Sequence, residues 1–249
     1  MRSPFNRNES RTQTKGNPES FKRRQALGVH SHFEERPWPR PSNFTVDCFK
    51  TTGHIIAMTR PNTREQIITA AVDTLHRKGF NGTSVQDITE AAQVPKGSFY
   101  NHFESKELLA VEALERYWQR VLNGLSGLGD EKTPAVDRLR RYFQHLNEVA
   151  RQGDYRTGCM IGNMGAEMPD QSRPVRERLA VLLAAWSRAI ESCVKEAQAD
   201  GALRRDMDAR TIAAFLLNSW EGAMMRAKVD KDATALTAFE TVAFGTLPT

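Results

Sequence analysis

Cysteine is scarce in this chain: Cys48, Cys159 and Cys193 are the three in 249 residues. Their odd number and wide spacing give neither a disulfide framework nor a zinc-ligand pattern, and they suit a reducing compartment. No run of about 18 apolar residues occurs, so a membrane-spanning helix is not expected. The first twenty residues lack the apolar stretch of a secretory signal. These absences predict a cytoplasmic chain with no membrane partner, no metal and no cofactor. Catalytic signatures are missing as well: there is no G-x-S-x-G, no H-E-x-x-H and no C-x-x-C. The Lys-Gly-Ser of "PKGSF" lacks the preceding glycine spacing of a P-loop, and the glycines of "GCMIGNMG" follow no strand. No catalytic residue is assigned, and an enzyme with a helical active-site cavity is the weaker alternative.

What charge there is lies unevenly. The net charge is +5, from 35 Lys and Arg against 30 Asp and Glu. Residues 1–58 hold ten of the basic and five of the acidic residues, so the remainder is neutral. The basic balance therefore belongs to the N-terminal segment and does not by itself mark a nucleic-acid surface. Residues 1–58 are polar and irregular, rich in Arg, Pro and Ser, with no periodic apolar pattern. They read either as a disordered basic tail that adds non-specific DNA affinity or as a mis-assigned start, Met58 being the next methionine.

Helical periodicity begins near Thr63. In "TREQIITAAVDTLHRKGF", Thr63 and Gln66 stand at capping-box spacing, and Ile67, Ile68, Ala71, Val72 and Leu75 form one apolar face. Gly79 stops this helix. A second helix starts at Thr83 or Ser84 and is expected to bury Val85, Ile88, Ala91 and Ala92. A third follows a tight turn with Pro95 at its first position, and Ser105 caps a longer one. Further helices are expected near 133–151, 160–168, 172–199, 208–228 and 232–245. No segment alternates with period two. The fold class is all-α, divided into a helix-turn-helix domain over 59–108 and a helical regulatory and dimerisation domain over 109–249.

The stretch "VPKGSFYNHFESKELL" carries the functional signal. Two short helices joined by a tight turn, the second with small and polar residues at its front, describe a helix-turn-helix. A major groove about 12 Å wide admits a helix whose leading face is slim. Gly97 and Ser98 supply that slimness. Lys96, His102 and the Tyr100 hydroxyl suit phosphates, and Asn101 suits a base edge or a phosphate. Phe99 and Phe103, four apart, point inward.

The run "GFNGTSVQDITEAAQVPKGSFYNHFESKELL" resembles the DNA-binding domain of the TetR/AcrR family of transcriptional repressors. The resemblance rests on the Gly-Phe ending helix 1, the Gly-Thr opening helix 2, "DI-x-x-AA-x-V" and "KGSFYNHF-x-SKE". It covers residues 63–110 closely and the remainder by architecture. It implies that Thr83 touches phosphate, that Lys96, Ser98, Tyr100 and Asn101 make recognition-helix contacts, and that Lys106 holds the backbone from outside the groove. Asn101 departs from the His or Tyr of many members, which puts base preference in question. Arg60 and Arg64 are candidate minor-groove or phosphate contacts; for Arg64 a solvated first-turn charge is the equal alternative. The resemblance further implies a homodimer on a palindromic double-stranded operator. Its expected seam is "TIAAFLLNSWEGAMMRAKV", with Ala213, Ala214, Gly222 and Ala223 for close approach and Phe215, Leu216 and Met225 to bury. A non-specific architectural DNA-binding protein is the other alternative, disfavoured by the neutral charge of residues 59–249.

In the C-terminal part, "YRTGCMIGNMGAEMPD" is the most distinctive stretch. Cys159 precedes a helix and follows Arg151 and Arg156, a setting that lowers a thiol pKa. The segment resembles the one that carries the sensing cysteine in a branch of the family responding to electrophiles such as N-ethylmaleimide. Cys159 is read either as that sensor or as a small buried hydrophobe. Met160, Asn163, Met164, Trp186, Trp220 and Glu221 are candidates to hold an unidentified small-molecule inducer, although methionines every four residues equally describe a core face.

Overall fold

The structure, a computed structural model, describes residues 62–247. Helix α1 (Thr63–Lys78) is capped by Asn62, whose side chain accepts from the Arg64 amide. Thr63 is thus the first helical residue, and the capping box expected on it and Gln66 does not form. The chain leaves α1 through Gly79 at φ 75°, ψ 173°, a region open in practice to glycine alone. Helix α2 (Val85–Ala91) begins with a true capping box: Ser84 accepts from the Asp87 amide and the Asp87 carboxylate accepts from Ser84. Helix α3 is four residues long (Gly97–Tyr100), with Pro95 just outside it rather than at its first position. Ser105 caps α4 (Lys106–Leu125), which runs unbroken across residue 108.

A short 3-10 turn (Ser126–Gly129) leads into α5 (Ala135–Gln152). Then come α6 (Met160–Glu167), α7 (Arg173–Ala199), α8 (Ala209–Asp230) and α9 (Thr234–Thr246). Among the described residues there is no strand, and no helix is long and apolar enough to cross a membrane.

The packing explains this order. Helices α1 to α3 close around Ile67, Ala71, Leu75, Ile88 and Phe99, each at most 1% exposed. Phe99 and Phe103 point inward as expected, their rings 5.6 Å apart. Ala91 does not join them; it faces solvent while Ala92 is buried. Helix α4 packs on both α1 and α7, so one rigid element belongs to the head and the body. The body core is aromatic: Trp186 lies between Trp118 and Trp220, and Phe143 between Trp220 and Phe239. Trp186 donates its indole N–H to the Tyr142 hydroxyl at 2.7 Å, so neither polar atom is stranded.

Candidate functional site

The front of α3 is a polar surface on a rigid base. Lys96, Gly97, Tyr100, Asn101 and His102 are exposed, Tyr100 by 63%, while Phe99 between them is fully buried. Ser98 is half-buried. No hydrogen bond within the described residues engages the side chains of Lys96, Tyr100 or Asn101. Gly97 has an ordinary right-handed backbone, and among the described residues nothing beyond its own helix and chain neighbours lies within 4 Å of where a Cβ would sit. Neither strain nor internal packing requires glycine there.

Other residues expected at DNA are turned toward the protein. Thr83 is 2% exposed, and its hydroxyl donates to the Gly79 carbonyl at 2.6 Å. Lys106 donates to the Phe80 and Thr83 carbonyls at 3.0 and 2.7 Å and sits 4.0 Å over the Phe80 ring. It ties down the loop between α1 and α2. One terminal nitrogen of Arg64 donates to both carboxylate oxygens of Glu112 on α4, at 2.6 and 2.5 Å, above the Phe103 ring. Its charge is therefore satisfied in the head. Arg60 lies outside the described residues.

The second candidate region is a cavity of about 320 Å³ in the body. Cys159, Tyr117, Trp220 and Met224 form its floor, and His76, Arg120, His145 and Arg156 also line it. Of the ligand residues expected from sequence, Cys159 and Trp220 reach it. Met160, Met164 and Trp186 do not: each is at most 1% exposed and belongs to the core. Asn163 instead closes the loop before α6, donating to the Thr157 carbonyl at 2.7 Å. His76, Tyr117, Arg120 and His145 carry no local motif. They come from three helices, and only tertiary packing brings them together.

The chemistry of Cys159 corrects the expectation of an acidified thiol. The sulfur is buried and faces the Glu221 carboxyl on α8; burial, and then that acid, push the thiol well above its ordinary value. The amides of Ile161 and Gly162 at the start of α6 pull the other way without prevailing. Arg151 is occupied by Glu148. Burial likewise pushes Glu221 up to about 7, and one of its oxygens, Oε1, is buried with no hydrogen-bond partner. Gly162 makes this approach possible, because a Cβ there would collide with the Glu221 carboxylate. Cys193 behaves as packing, its thiol donating to the Ala135 carbonyl at 3.3 Å.

Helix α6 connects this cavity to the head. At its start, the His76 Nε2 of α1 lies 2.7 Å from the Gly158 carbonyl. A carbonyl only accepts, so Nε2 carries the proton. At its end, the Glu167 carboxylate accepts from the Asn81 amide at 3.0 Å and presses against Gly79. A Gly79→Ala variant must strain its backbone and displace that carboxylate. It should lose about 1–2 kcal/mol, read as a lower denaturant midpoint.

Comparison with known proteins decides the family. The sequence matches the family model "Bacterial regulatory proteins, tetR family" over residues 67–113 and "Tetracyclin repressor-like, C-terminal domain" over 135–243. It is 37% identical to the HTH-type transcriptional repressor DhaR of Mycobacterium sp. (strain GP1), over 76% of this chain and 94% of that protein. The chain belongs to the TetR family. It is also 31% identical to the HTH-type transcriptional repressor NemR of Escherichia coli K12, covering 70% of this chain and 87% of NemR. Among solved structures, the regulatory protein TetR from Rhodobacter sphaeroides superposes with a TM-score of 0.70 at 32% identity, over 75% of this chain and 99% of the other. As a TetR-family member, the chain is a DNA-binding transcriptional regulator, and α2 and α3 are its helix-turn-helix.

Proposed function

We propose that this TetR-family chain is a cytoplasmic repressor that binds a palindromic operator as a homodimer and is released when an inducer enters the cavity at Cys159. It acts by binding and not by catalysis. The observation that carries the reading is the path of α6, which starts at the cavity floor and ends against the turn that positions the helix-turn-helix. Whatever displaces the start of α6 moves contacts that orient α1 and the Gly79 turn. Since α3 is anchored to α1 through Phe99, the two recognition helices of a dimer would lose their spacing of about 34 Å.

In this reading Lys96, Tyr100 and His102 meet phosphates, while Ser98 and Asn101 face bases. The exposed Phe215, Met225, Val229 and Val242 on α8 and α9 support a seam along those helices. Leu216, expected to be part of it, is fully buried inside the protomer. Buried and with its pKa raised, Cys159 holds little thiolate at neutral pH, so any reaction there follows binding in the cavity. The inducer is therefore a small molecule that the cavity binds, with alkylation of the thiol a consequence of binding when that molecule is an electrophile.

The decisive experiment is a footprint on DNA flanking the chain's own gene, with and without N-ethylmaleimide. A protected palindrome that is lost on alkylation, and retained in Cys159→Ser, is the expected result. Protection that survives alkylation of Cys159 would remove the thiol from the mechanism. No protected palindrome would overturn the operator assignment.

A further inference from the structure

The cavity joins an apolar floor to a rim of one sign. Tyr117, Trp220, Met224 and Val121 give the floor its aromatic and aliphatic character. The charged or titratable rim residues are Arg120, Arg156, His76 and His145, and among the described residues no Asp or Glu lines the space. The nearest acids pair only loosely with the two arginines. Asp73 stands 3.8 Å from Arg120, and Asp154 stands 3.5 Å from Arg156, each pair more than half exposed. Pairs of that kind exchange readily with a competing anion.

The rim is also held in place by an unusual segment. Asp154 and Tyr155 both adopt the left-handed conformation, at φ 51° and 53°, and Gly158 follows at φ 68°. A tyrosine there is an outlier for its residue type. The Tyr155 amide donates to the Ala150 carbonyl at 2.9 Å, which fixes the turn at the end of α5. Residues 155–159 all line the cavity, so this strained turn carries Arg156 to the rim and Cys159 to the floor. Strain maintained in this way belongs with ligand clamps.

We infer that the cavity binds an apolar or aromatic carboxylate, its hydrocarbon body on Trp220 and Tyr117 and its carboxylate between Arg120 and Arg156. The inference rests on the proposal that the body is an effector domain, and names the ligand class. Guanidinium groups suit a planar carboxylate, which they meet with paired N–H donors. A cationic ligand meets like charge at the rim, the Glu221 carboxyl lying behind the floor at Cys159, and a neutral one leaves the arginines with their loose partners.

The test is calorimetric titration of the full chain, free of DNA, with 4-phenylbutyrate and octanoate, each against its primary amide, and with 4-phenylbutylamine. Each acid should bind at least about tenfold more tightly than its amide, and the amine should not bind. An Arg120→Ala/Arg156→Ala variant should lose the preference for acid, and Arg120→Lys/Arg156→Lys should keep only the part that charge alone supplies. Both positions are exposed, so the variants should fold as the parent does. Equal binding of acid and amide, binding of the amine, or no binding of either acid would overturn the inference. Operator footprinting of the same preparations separates the two claims. A chain that protects its operator yet ignores both acids sinks the ligand class alone. One that binds the acids but protects no DNA sinks the repressor reading.

Discussion

A Lys96→Ala/Tyr100→Phe chain should bind its protected DNA segment on the order of 100-fold more weakly than the parent while folding with unchanged stability. Lys96, just before α3, and Tyr100, at its end, make no side-chain hydrogen bond to the described residues, and Tyr100 is 63% exposed. Surface substitutions of this kind change stability by no more than about 0.5 kcal/mol. In the proposed reading each removes a contact to a phosphate. Both bonds go to a charged phosphate, each worth about 1.5–3 kcal/mol, and each tenfold in affinity is about 1.4 kcal/mol. A homodimer presents both contacts twice, so two decades is a conservative expectation. Loss of one lysine per protomer should also lower the slope of log K against log salt by about two. The measurements are fluorescence anisotropy at several salt concentrations and a denaturant titration. Unaltered affinity and salt slope would move the DNA surface away from α3.

How far this was legible in the sequence differs between head and body. The head's motifs are local. Gly79, Ser84, Ser105 and the spacing of Phe99 and Phe103 each act within a turn or two, so they can be read one stretch at a time. The side chains that turn inward were not legible. Thr83 reads as a free hydroxyl at a helix start, but its partner is Gly79, four residues back across the turn. Lys106 reads as a free cation, and its partners are carbonyls more than twenty residues earlier.

In the body, helix boundaries followed periodicity to within two residues, because amphipathic spacing is itself local. The cavity did not follow from it. Its floor and rim come from α1, α4, α5, α8 and the turn before α6, and no stretch of sequence encodes their meeting. Methionines four apart were compatible with a pocket or a core, and burial placed them in the core. Cys159 shows the same limit in its chemistry. Upstream arginines and a helix start argued for an acidic thiol. The residue that dominates its charge environment is Glu221, 62 positions away, admitted by the missing side chain of Gly162.

That carboxyl gives the second large effect. Glu221 should make the folded chain less stable as pH rises, by roughly 3 kcal/mol between pH 4.5 and 8.5. Its folded pKa is raised from an ordinary 4.5 to about 7, first by burial. The folded state then holds more protons than the unfolded state between those two values, so stability falls as pH climbs through them. Each unit of difference is 1.36 kcal/mol, which sets the magnitude. His76 acts in the opposite sense. Burial lowers its pKa below 6.5, so its contribution weakens the fold as pH falls through that range. The quantity to measure is therefore the difference between parent and Glu221→Gln in denaturant titrations at pH 5 and pH 8.5. The variant should match the parent at the lower pH and exceed it by roughly 3 kcal/mol at the higher, and equal curves at both would place the carboxyl in contact with solvent. The same variant reads the thiol. Without the neighbouring negative charge, the Cys159 thiolate is less disfavoured, so alkylation by N-ethylmaleimide at pH 8.5 should accelerate. A slower reaction would assign Glu221 the opposite role, as the base that takes the thiol proton when the sulfur attacks.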